Sequence, residues 1–207
     1  GNLSEAASQL EFLSAIQMAT GSTSEVEFLS ALLAWKKDRD PLVHVEHLSQ
    51  ALDLHLKVIP TSFDGSLPGI IEANPEYMLT LVRELSEHWP VDPINGGEPQ
   101  PPALSKASQL IDVIMQCSPG LLEARNFRAR VNFLVGNMTA AKKGASSLVQ
   151  DEPGFSECHL LMAQIQLHDQ ELVQAQSSLE MGLAHNFEVR EWPLFNILRA
   201  RTACQRG

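Results

Sequence analysis

Apolar residues recur three and four positions apart along most of the chain, with polar residues between them. This is the 3.6-residue period of helices packed on one face, not the alternation of strands. Leu160, Leu161, Ala163 and Leu167 form one such stripe. Read with its proline and glycine breaks, the pattern predicts helices over residues 5–18, 24–37, 42–56, 75–88, 104–117, 121–135, 139–150, 156–167, 171–183 and 193–205, and no strand. Asn74 is placed to cap the fourth of these, with Pro75 at its first position, and Pro193 opens the last in the same way.

The pattern also repeats. Ala107, Ala141 and Ala175 are 34 residues apart, as are Ala129 and Ala163, Ile114, Leu148 and Gly182, and Pro119, Pro153 and Phe187. Thirty-four is the tetratricopeptide period, in which each unit is a pair of antiparallel helices joined by a short turn. Small residues in the second half of the first helix (Ala129, Ala163) and early in the second (Ala141, Ala175) let the two backbones approach. Gly136-Asn137 supplies the turn, and Pro153 ends the second helix because proline cannot continue the backbone ladder. In the helix at 24–37, Ala31 and Ala34 sit where small crossing residues are wanted, and Lys36-Lys37-Asp38-Arg39-Asp40 reads as the following turn.

The expected fold class is therefore an all-α tetratricopeptide-repeat solenoid of antiparallel helix pairs with an irregular insertion. Three segments are expected: an N-terminal helical repeat segment over 1–57, an insertion over 58–103, and tetratricopeptide repeats over 104–207 with the last truncated. The insertion carries one helix between an irregular stretch at 59–69 and a loop at 89–102, which holds five prolines and two glycines in 14 residues. The helix at 104–117 has only a second-helix pattern, as though its first helix were replaced by something else. The start at Gly1 and the abrupt end of the last helical pattern read as a piece cut from a longer protein.

Composition narrows the function classes. In 207 residues the formal charge is −10, which disfavours nonspecific binding to nucleic acid or anionic membrane. Aromatic residues make up 6%, with a single Tyr, too few for a many-stranded sandwich. No stretch reaches the ~18 apolar residues of a membrane helix. Cys117, Cys158 and Cys204 are far apart and odd in number, so a reduced, intracellular setting is expected. Asn2-Leu-Ser4 and Asn137-Met-Thr139 match a glycosylation triplet that arises often by chance.

Candidate chemistry is thin. His44 and His47 are three apart and share a helix face with Glu46 nearby, but zinc needs three or four ligands and no further Cys or His lies close in sequence. Cys158 and His159 are adjacent, which on a helix points them ~100° apart and disfavours a nucleophile–base pair. His159 stands where such repeats often place a large aromatic, so it reads as a core residue. Asp64-Gly65 and Asn95-Gly96-Gly97 are turn chemistry without the Lys-Ser/Thr of a phosphate loop. Paired acids such as Glu25 and Glu27, or Asp151 and Glu152, lie at helix ends or on solvated faces. No catalytic, cofactor or metal residues, no small-molecule substrate and no enzyme activity are expected.

One charge anomaly stands out. Residues 121–150 contain Arg125, Arg128, Arg130, Lys142 and Lys143 against Glu123 alone, 5 − 1 = +4, leaving −14 elsewhere. First helices line the groove of tetratricopeptide arrays, so helical spacing turns Asn126, Arg130 and Phe133 inward, followed by Gln164 and His168. With Arg125 and Arg128 these form a candidate surface for an acidic partner segment, against the plainer reading of a solvated face balanced by neighbouring acids. A receptor for acidic peptide C-termini, of the cochaperone type, is the alternative function. Its clamp needs inward Lys and Asn, and Asn126 with Arg130 matches only in part.

A family resemblance follows from longer runs. His159-Leu-Leu-Met-Ala-Gln-Ile-Gln-Leu167, Ser178-Leu-Glu-Met-Gly-Leu183 and His185-Asn-Phe-Glu-Val-Arg-Glu-Trp-Pro-Leu-Phe195 resemble the tetratricopeptide repeat protein 21 family. So do Gln9-Leu-Glu-Phe-Leu13, Pro68-Gly-Ile70 with Asn74-Pro-Glu-Tyr-Met78, and Ser118-Pro-Gly-Leu-Leu122. That family is the large repeat subunit of intraflagellar transport complex A. The resemblance implies a noncatalytic scaffold acting in retrograde ciliary transport and ciliary protein trafficking. It further implies the complex's other subunits as partners, no nucleic acid or direct membrane insertion, and a place in the cytoplasm and the cilium, including basal body and axoneme.

Overall fold

The computed structural model describes residues 2–17, 21–59 and 66–205. Among them every regular element is helical: α1 Leu3–Gln17, α2 Ser24–Asp38, α3 Pro41–Val58, α4 Leu67–Ala73, α5 Pro75–Ser86, α6 Pro102–Cys117, α7 Leu122–Leu134, α8 Met138–Asp151, α9 Ser156–His168, α10 Leu172–His185, a 3-10 turn Phe187–Glu191, and α11 Pro193–Gln205. The fold class is the expected all-α helix-pair repeat. Met18, at the end of the first expected helix, lies outside the described residues.

The 34-residue period extends to the backbone itself. α7 and α9 begin at 122 and 156 and end at 134 and 168; α8 and α10 run 138–151 and 172–185. Each first helix hands over through a left-handed residue, Gly136 at φ 80° and then Gln170 at φ 65°. Second helices end on Ser118, Glu152 and Asn186, whose φ values are −144°, −138° and −141°. Their amides close on the carbonyls of Ile114, Leu148 and Gly182. The recurring small residues Ala107, Ala141, Ala175, Ala129 and Ala163 are all buried. Between α7 and α8 the close approach falls at Gly144, where an added Cβ would sit 2.9 Å from that of Ala129.

The chain divides into two compact units, Gly1–Trp89 with Gln100–Pro119, and Pro90–Pro99 with Gly120–Gly207. In the first, α2 pairs with α3 and α5 with α6, and α3 also packs on both α5 and α6. Ser24 Oγ donates to the Ala51 carbonyl at 2.7 Å, and the Tyr77 hydroxyl lies 2.7 Å from the same oxygen. Trp89 Nε1 donates to the Ala103 carbonyl at 3.3 Å. In the second unit α7 pairs with α8 and α9 with α10, while α9 also touches α7, α8 and α11.

Three local expectations are corrected. The stretch 59–69 is not irregular throughout: α4 begins at Leu67, with the Ser66 hydroxyl accepting from the Gly69 amide. Residues 60–65 lie outside the described ones. Lys36, Lys37 and Asp38 belong to α2, and the turn is Arg39, left-handed at φ 53°, with Asp40 capping α3 through the amides of Leu42 and Val43. The first helix of the α6 pair is not replaced. It is α5, separated from α6 by residues 87–101, whereas the corresponding links in the next two pairs are 135–137 and 169–171. The proline-rich loop thus lengthens a connection inside a helix pair.

Candidate functional site

The lengthened connection has an unforeseen role. Its Pro90–Pro99 part belongs to the second unit and lies against the first helices there. The Ile94 amide donates to the Leu134 carbonyl, the last residue of α7, at 2.8 Å. Gln164 of α9 donates its amide to the Val91 carbonyl. Asp92 takes a bidentate pair from Arg201 of α11, at 2.5 and 2.9 Å. Two parallel N–H to oxygen bonds add directional specificity to the charge attraction. This pairing holds the Asp92 carboxyl below its ordinary range, chiefly through the Arg201 hydrogen bonds, and raises Arg201 in turn.

The residues expected to line an open groove are placed as follows. Phe133 is fully buried and meets the His168 ring edge-to-face at 5.9 Å. Gln164 is buried and committed to the loop, and His168, exposed, has Nδ1 3.4 Å from Asp169. Asn126 is buried, with its Oδ1 lacking a hydrogen-bond partner. Arg130 is partly buried, which pulls its guanidinium down to about 10, and burial lowers Arg128 as well. Phe133, Gln164 and His168 therefore come together, and the loop lies over them; a cavity of about 180 Å³ remains beside Asp92, bounded also by Leu198 and Arg201.

The +4 island is met by acids from outside its window. Arg125 bonds Ser147 at 3.1 Å and pairs with Asp151, and Lys142 pairs with Asp169. Both aspartates are held below the ordinary carboxylate range by these partners. The cochaperone-type clamp finds no exposed Asn in α7, because Asn126 is buried.

The residues that sequence reasoning missed are Val91, Asp92, Ile94 and Arg201. A signal existed for Arg201. It stands 34 after Leu167 and 68 after Phe133, where two earlier units place buried apolar side chains. A charge at such a position needs a partner.

The histidines also resolve. His44 is fully buried in the first unit, stacked on Trp35 at 5.0 Å, with Nδ1 2.8 Å from His88 Nε2 and Nε2 3.6 Å from Glu84. Burial, then His88 and His47, lowers it to about 4. His47 instead pairs with Glu27 at 2.9 Å. Among the described residues no group of three or more His, Cys, Asp or Glu is arranged to hold a metal. His159 is buried, with Nε2 2.7 Å from the Pro153 carbonyl, as a core histidine would be. The Cys158 thiol donates to the Phe155 carbonyl at 2.8 Å, and burial pushes it up to about 11.

With the helix-pair architecture in view, comparison with known proteins decides the family. A family model described as the tetratricopeptide repeat protein 21 second ARM domain matches residues 1–170. The chain belongs to the tetratricopeptide repeat protein 21 family. Its relatives include tetratricopeptide repeat protein 21B of Xenopus laevis, 32% identical over 211 residues, and that of Homo sapiens, 30% identical over 210. Tetratricopeptide repeat protein 21A of Mus musculus is 30% identical over 213 residues. Each alignment covers all of this chain and 16% of the relative, so the chain spans about a sixth of the length of the curated relatives it matches. The family is one of repeat scaffolds, and its lengthened α5–α6 connection lies inside the matched region.

Proposed function

We propose that this chain is a segment of a noncatalytic scaffold within intraflagellar transport complex A, serving retrograde ciliary transport and ciliary protein trafficking. The other subunits of that complex are its partners, and the cytoplasm and cilium, basal body and axoneme included, are where it works. Family membership over nearly the whole chain carries this reading. The side-chain chemistry supports it: the polar groups are used pairwise to join helices, His47 to Glu27, Lys106 to Asp53, Arg125 to Asp151. None of these pairs builds the nucleophile–base–orienter geometry of a reaction centre.

The test is cross-linking of the full-length protein inside its complex. Links from Lys106, Lys142 or Lys143 to a second subunit are expected, and those residues name the surface used. A segment that links only to itself while the rest of the protein links to other subunits contradicts the reading.

A further inference from the structure

Pro90–Pro99 meets α7, α9 and α11 in the manner of a bound peptide. Two of its main-chain groups are read, the Ile94 amide by Leu134 and the Val91 carbonyl by Gln164, and its Asp92 carboxylate is held by both arms of Arg201. Pro90, Pro93 and Pro99 fix φ along it and lower the entropy lost on ordering. Asp92 and Arg201 are 109 residues apart, so nothing local in the chain dictates their contact.

The fit is incomplete. The cavity of about 180 Å³ beside Asp92 is of the order that an aromatic ring fills. Gln164 is only 3% exposed, and while its amide nitrogen serves Val91 its Oε1 has no hydrogen-bond partner. A donor and a larger side chain would both be accommodated.

We propose that this three-helix face is a peptide-binding surface closed in cis, with Pro90–Pro99 as the resident surrogate ligand. Its partner is an internal, extended segment carrying Asp or Glu next to a bulky apolar side chain. The partner's carboxylate replaces Asp92 on Arg201, its main chain replaces that of Val91 and Ile94, and its apolar side chain fills the cavity. Because the strap is tethered, its effective concentration is high, so only a segment that fits better displaces it. The inference stands on this contact geometry and does not depend on which complex the protein serves.

The test uses a fluorescent synthetic peptide of residues 89–99 carrying Phe in place of Pro93, titrated into the 207-residue chain by anisotropy. In a chain with Val91→Gly, Asp92→Ser, Pro93→Gly and Ile94→Ser, saturable binding about tenfold tighter than to the unaltered chain is expected, and Arg201→Glu in that variant removes about tenfold or more. Equal affinity for both chains, no binding while helical circular dichroism is retained, or binding accompanied by dimer formation overturns the proposal. Loss of helical signal in the strap variant overturns it too, since the strap is then an integral part of the fold. Hydrogen exchange on the unaltered chain gives an independent reading. The Ile94 amide should exchange about 100-fold faster than core amides of α7 and α9, and exchange at their rate overturns displacement.

Discussion

Gly144 of α8 faces Ala129 of α7 so closely that a methyl group at residue 144 would lie 2.9 Å from the Ala129 Cβ. The neighbour is a short side chain on a helix backbone and cannot swing aside. Gly144→Ala should therefore lower stability, even though alanine gains about 1 kcal/mol of helix propensity over glycine. Overpacking costs about 1–3 kcal/mol, and Ala129→Leu should cost at least as much as Gly144→Ala. Thermal melts by circular dichroism measure both. A melting temperature that rises in Gly144→Ala would show that the two helices are not packed at this point.

The two left-handed handover residues form a natural comparison. Gly136 adopts φ 80° without penalty, whereas Gln170 holds φ 65° with a side chain attached. A left-handed non-glycine residue costs about 1–2 kcal/mol, part of which returns as the greater freedom of glycine in the unfolded chain. Gln170→Gly should raise the melting temperature and Gly136→Gln should lower it. Opposite signs from one exchange of residue types would tie the strain to the repeat position.

Acid should weaken the first unit through His44. Its folded value, about 4, lies below the ordinary 6.5 because burial, His88 and His47 disfavour its charged form, and His88 is lowered by burial as well. The unfolded chain thus binds more protons between these values, so stability is fully present above about pH 6.5 and falls as pH drops toward 4. At 1.36 kcal/mol per unit, the His44 share is about 3 kcal/mol. Glu84, raised mainly by burial, works in the opposite direction over the carboxylate range and trims the loss. Urea unfolding followed by tryptophan fluorescence at pH 7.5 and pH 5 should show the drop, and His44→Phe should flatten it. A wild-type midpoint independent of pH would contradict the buried neutral pair.

Thiol reactivity should separate the three cysteines. Burial raises Cys158 to about 11 and raises Cys117, while Cys204 is exposed. The thiolate is the reactive form. Brief iodoacetamide treatment at pH 8 should label Cys204 and leave the other two unmodified by peptide mass spectrometry, until denaturant is added. Labelling of Cys158 at a rate comparable to Cys204 would mean that α9 is not packed as described.

Much of the second unit was legible because its information is periodic. Every helix start and stop from 122 to 185 follows from one 34-residue interval, and Pro153 and Gly136 mark two of the breaks by backbone chemistry alone. The first unit was less so: α5 and α6 are partners across 15 residues of linker, residues 87–101, and a fixed spacing cannot register a pair whose connection has been lengthened. The strap was hidden for a related reason. Asp92 gains its meaning only from Arg201, and His44 from His88, contacts spanning 109 and 44 residues that leave no local pattern. Helical spacing did place Phe133, Gln164 and His168 on one face. What it could not supply was the segment of the same chain that covers them.

The account turns on that segment. A nuclear Overhauser experiment on the isotopically labelled 207-residue chain tests it most directly. Cross-peaks linking the Ile94 amide to residues at the end of α7, and the Asp92 methylene to the Arg201 side chain, are predicted. Random-coil shifts through residues 90–99 with no cross-peak to α7 or α11 would contradict it.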